Sequence, residues 1–87
     1  SIKYFEEANK IEQNAEPMLG LAVSIHKNDR QKAISLVKKA LLKDPKYVSN
    51  SYRKEQLWGK KIQKATKELL NFKELKEDII FAKQFLK

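Results

Sequence analysis

Apolar residues along this chain return at steps of three and four, the spacing that lines one face of an α-helix. The densest such stretch covers residues 17–45, PMLGLAVSIHKNDRQKAISLVKKALLKDP. Its first half carries Met18, Leu19, Leu21, Ala22, Val23 and Ile25, apolar on nearly every side. A helix that is apolar all round has to be covered from more than one direction. The second half places Ala33, Ile34, Val37, Ala40 and Leu41 on one stripe, with Lys32, Lys38, Lys39 and Lys43 around it. That is one buried face and one wet face. Between the halves, Lys27, Asn28, Asp29 and Arg30 form a polar turn, and Asp29 is placed to cap the second helix. The spacing predicts helices over 16–27 and 30–43, folded back on each other, with Asn14 a candidate cap for the first.

Upstream, Ile2, Tyr4, Phe5, Ala8 and Ile11 predict a helix over 2–12. Downstream of Pro45, Ser49 or Asn50 can start another helix. Trp58, Ile62, Ala65 and Leu69 then recur at four, three and four, with Arg53, Lys60, Lys64 and Lys67 opposite. This phase persists across Gly59 and predicts one long helix over 49–70. A break at Trp58 and Gly59 into two helices is the alternative, since an interior Gly costs about 1 kcal/mol relative to Ala. Trp58 reads as the anchor of this C-terminal part. Asn71 interrupts, and Phe72, Leu75, Ile79, Ala82 and Leu86, supplemented by Ile80, Phe81 and Phe85, predict a last helix over 72–86. No segment alternates as a strand does, so the fold class is all-α.

Leu19, Gly20, Ala22, Asn28, Asp29, Ala33, Ile34, Ala40, Leu41, Asp44 and Pro45 together resemble the tetratricopeptide repeat (TPR) pattern. The aromatic residue usual early in that repeat's first helix is absent, and Pro17 or Met18 stands near its place. The stretch QLWGKKIQKATKELL is similar to the tails of some TPR proteins of photosynthetic bacteria. The resemblance implies TPR-like antiparallel helix pairs, an α-solenoid fragment: a half repeat at 1–12, a complete repeat at 16–45, and capping helices at 49–87. It implies a C-terminal fragment of a longer protein. It also implies a scaffold for protein–protein interaction, gripping a peptide or protein segment on the surface of each first helix. Carried onto this sequence, Pro17, Leu21, Ser24 and Asn28 fall on one line of that helix. Leu21 would give apolar contact, and Ser24 and Asn28 hydrogen bonds. The competing reading is that neighbouring helices cover this line. The Lys-and-Asn clamp with which some family members hold a C-terminal carboxylate is not matched at Pro17 and Leu21.

Charge adds a second reading. The net charge of +8 is unevenly placed. Residues 1–26 hold two lysines against four glutamates, whereas residues 27–87 hold seventeen Lys or Arg against seven acids. Arg53, Lys54, Lys60, Lys61, Lys64 and Lys67 could bind nucleic acid or another acidic surface. The plainer explanation is that lysine solubilises exposed helix faces. Two arginines are few for phosphate recognition, which favours a planar bidentate donor.

Catalytic chemistry finds little support. His26 is the only histidine, there is no cysteine, and two glycines cannot build a phosphate-cradling loop. The carboxylates at Glu6, Glu7, Glu74, Glu77 and Asp78 stand beside Lys3, Lys10, Lys73 and Lys76, the pattern of exposed helix pairs. The expectation is a non-enzymatic protein with no cofactor or metal and a cytoplasmic location. No apolar run approaches the roughly 20 residues of a membrane span.

Overall fold

The computed structural model describes residues 14–56 and 59–86. Among them every regular element is helical and there is no strand. Helix α1 is Ala15–Ile25, α2 is Arg30–Lys43, and a 3-10 turn follows at Pro45–Val48. Helix α3 is Asn50–Glu55, α4 is Lys60–Leu70, and α5 is Lys76–Lys83, with 3-10 turns at Lys73–Leu75 and Gln84–Leu86. The helix expected over 2–12, with its half repeat, and the Trp58 anchor lie outside the described residues.

Helices α1 and α2 pack closely against each other across the four-residue turn between them. The Asn28 and Asp29 amides both donate to the Ile25 carbonyl, at 2.9 and 2.7 Å. The Asp29 carboxylate accepts from the Lys32 amide at 3.1 Å, which is the expected cap of α2. Asn14 occupies the cap position of α1, but its side chain makes no capping bond.

Helix α1 is buried on almost every side, as its composition requires: Ala15, Met18, Leu19, Gly20, Leu21, Ala22 and Ile25 are all inside. Helix α2 covers one flank and α4 another. One continuous core joins these residues to Ala33, Val37, Ala40 and Leu41 of α2 and to Leu69, Leu75 and Ala82 farther along.

The long helix expected over 49–70 is broken. Gln56 closes α3, with its amide donating to the Tyr52 and Arg53 carbonyls, and Gly59 is extended ahead of α4. A geometric conflict accounts for the break. On one continuous helix Arg53 and Leu69 would point roughly 160° apart, yet both are buried. Interrupting the helix re-aims Arg53 inward. The predicted stripe is correspondingly shifted: Leu69 and Thr66 are buried, whereas Ile62 is exposed.

The junction after α2 is polar and specific. Asp44 ends α2, and its carboxylate accepts from the Lys46 amide at 3.2 Å and from the Tyr52 hydroxyl at 3.1 Å. Tyr47 and Tyr52 meet edge to face with centroids 5.0 Å apart. The Tyr47 hydroxyl donates to Glu16 Oε2 of α1 at 3.5 Å. Burial first, and the Glu16 carboxylate second, push the Tyr47 phenol up to about 12.

Two outcomes follow from this packing. Leu41→Ala should cost about 2–5 kcal/mol of unfolding free energy, because Leu41 is in the core, while the adjacent exposed Leu42→Ala should stay within about 0.5 kcal/mol. Denaturant melts of both variants check the contrast; equal losses would contradict the placement of α2. A raised phenol pKa gives stability that is full below the unfolded value of about 10 and lost as pH rises through the folded value. In an alkaline titration followed by phenolate absorbance, Tyr47→Phe should therefore delete a component near pH 12. Its alkaline loss of stability should be shallower than that of the parent chain. Titration of Tyr47 alongside an exposed phenol would contradict its buried environment.

Candidate functional site

The C-terminal segment lies along α2 and leaves an open groove between them. The groove has a volume of about 590 Å³, with Leu41, Leu42 and Phe81 as its apolar surface. Lys38, Lys73 and Lys76 and the carboxylates Glu74, Glu77 and Asp78 line it as well, so charges of both signs are balanced. Leu42 is 67% exposed and Phe81 48%. Phe85, also exposed, extends this surface through an edge-to-face contact with Phe81 at 5.3 Å.

Two polar ties hold the groove wall to α2. Arg30 Nη2 donates to both oxygens of Glu74, at 3.0 and 3.1 Å. The same guanidinium stacks 3.8 Å above the Phe72 ring. Lys38 and Asp78 approach to 4.0 Å. A bond from its own backbone amide, against the opposing effect of desolvation and with further help from Arg30, holds the Glu74 carboxyl below the usual range. These pairs are solvent-exposed and add little net stability; their effect is to fix how α5 lies on α2.

The sequence-predicted contact line on α1 is not assembled as one surface. Leu21 is 2% exposed and sits in the core, because α4 as well as α2 packs on α1; it offers no apolar contact to a partner in this structure. Pro17 is half-buried beside a separate cleft shared with Lys43, Lys46 and Tyr47. Ser24 is exposed, but its hydroxyl donates to the Gly20 carbonyl at 3.0 Å. Asn28 is exposed in the turn. His26 donates from Nδ1 to the Val23 carbonyl at 2.7 Å, a local helix-end bond. Among the described residues no group of three potential metal ligands exists, and no helix is long and apolar enough to cross a membrane.

The expected basic face is also divided. Lys54, Lys60, Lys61, Lys64 and Lys67 are exposed. Arg53 is 2% exposed and leaves that face entirely. Its Nη1 donates to the Tyr47 carbonyl at 2.6 Å, while its Nε is buried without an acceptor. Desolvation lowers the pKa of this guanidinium from its ordinary value. Arg53 and Lys67 instead line a cleft together with Lys83 and Asn71.

Sequence periodicity read Phe81 and Phe85 as additions to a buried stripe, and it assigned Leu42 no role. The signal that could have found them is excess: α5 and its flanks carry more large apolar residues than one buried stripe can hold. The same excess leaves Ile80 and Leu86 exposed. No protein-family model, curated protein or solved structure matches this chain, so the site rests on its geometry alone.

Proposed function

We propose that this chain is a non-catalytic protein–protein interaction module that binds an amphipathic helix of another polypeptide in the groove between α2 and α5. The observation that carries this reading is the adjoining exposure of Leu42, Phe81 and Phe85. Large apolar side chains exposed together mark interaction sites, whereas single ones are ordinary. Lysines and carboxylates on the groove suit a partner with apolar side chains at i, i+3, i+4 and i+7 and flanking charges of both signs. A nucleic-acid backbone would meet Glu74, Glu77 and Asp78 and be repelled. The TPR resemblance agrees with a helix pair that serves as a scaffold, with the docking face transferred from α1 to the outer side of α2. The non-catalytic reading is supported by the engagement of the sole imidazole in a helix-end bond.

A helical peptide library displayed on phage, selected on the intact chain, tests this. Selected peptides should carry the helical apolar spacing and bind Phe81→Glu at least about tenfold more weakly. Lys60→Glu combined with Lys64→Glu should leave their affinity within about twofold. Peptides that ignore Phe81→Glu and are lost with the lysine pair would transfer binding to α4.

A further inference from the structure

The cleft that holds Arg53 lies outside the peptide groove and has a different chemistry. Its volume is about 410 Å³, and Arg53, Lys67, Lys83 and Asn71 supply its polar lining, beside Val48 and Ile79. Three cations line it and no carboxylate does. Lys67 and Lys83 are exposed and make no ion pair among the described residues. Arg53 is the unusual member. Buried charges are normally paired with an opposite charge, but this guanidinium has one carbonyl acceptor and an orphaned Nε. Gathering two further cations beside it raises the electrostatic cost of the folded state unless an anion balances them.

We propose that this cleft is a binding site for a small dianionic oxyanion of the phosphate class, held by Arg53, Lys67 and Lys83 with the Asn71 amide as a further donor. Three positive charges favour a dianion over a monoanionic carboxylate. The guanidinium supplies directional donors, and the two lysines supply compact mobile charges that close over the ligand. The volume admits a single phosphate group with a small substituent and excludes a folded polymer. The group can come from free phosphate or from a phosphorylated side chain.

The test is a titration of the intact chain with inorganic phosphate, followed by the Arg53 Nε–H resonance in nitrogen-correlated NMR. Phosphate should shift this signal saturably and raise the melting temperature in a concentration-dependent way, and sodium chloride at matched ionic strength should do neither. Lys67→Ala combined with Lys83→Ala keeps the fold, since both side chains are exposed, and should weaken phosphate binding about tenfold. Acetate should bind about tenfold more weakly than phosphate. A phosphoserine-containing peptide that binds more tightly than free phosphate identifies the phosphorylated side chain as the source; the reverse order identifies the free ion. An Arg53 signal unmoved by phosphate, an equal response to chloride or acetate, or full affinity in the double variant would overturn the proposal.

Discussion

A helix with no polar face cannot be left on a surface, and α1 is such a helix. Seven of its eleven residues are buried, so the chain after it has to supply cover from more than one direction. Helix α2 provides one side through a four-residue turn, which fixes that contact locally and cheaply in loop entropy. The other side has to come from farther along, and α4 delivers it through the core residue Leu69. Once both flanks of α1 are occupied, the outer side of α2 becomes the open surface. The site follows from that order: the C-terminal segment lies along α2, and Leu42, on the wet side of α2, lines the groove between them.

Wrapping α1 also explains the buried arginine. The chain turns sharply after α2, at Asp44 and the 3-10 turn that follows, before α4 can come back. Carbonyls in that turn need donors once buried, and Arg53 reaches the Tyr47 carbonyl from α3. The separation of α3 from α4 is the compromise that lets Arg53 face inward and Leu69 face α1. Its cost is a guanidinium without a carboxylate. The groove between α2 and α5 and the cleft at Arg53 are therefore unlike, the first partly apolar and charge-balanced, the second cationic.

The α1–α2 pair, its turn and the Asp29 cap were legible, because they depend on spacing and capping within about 30 neighbouring residues. The break near Gly59 was legible only as an alternative, because the apolar spacing from Trp58 to Ile62, Ala65 and Leu69 continues across Gly59. Arg53 was misplaced for the same reason: phase put it on the wet face, and only the tertiary turn buries it. Leu21 and Phe81 show the complementary limit. Both are large and apolar, and nothing in the sequence says that α4 covers the first while the second stays half exposed among the described residues. Which face stays open is decided by packing between distant segments, so the candidate site was far less legible than the helices.

Mapping where a bound helix touches the chain addresses the central claim most directly. Backbone amide signals would be followed as a peptide selected on the parent chain is added. The expected result is that shifts concentrate at Lys38, Leu42, Glu77 and Phe81, with Ser24, Asn28 and residues 60–67 unmoved. Shifts concentrated at Ser24 and Asn28, with the groove silent, would contradict docking between α2 and α5 and return the interaction to α1.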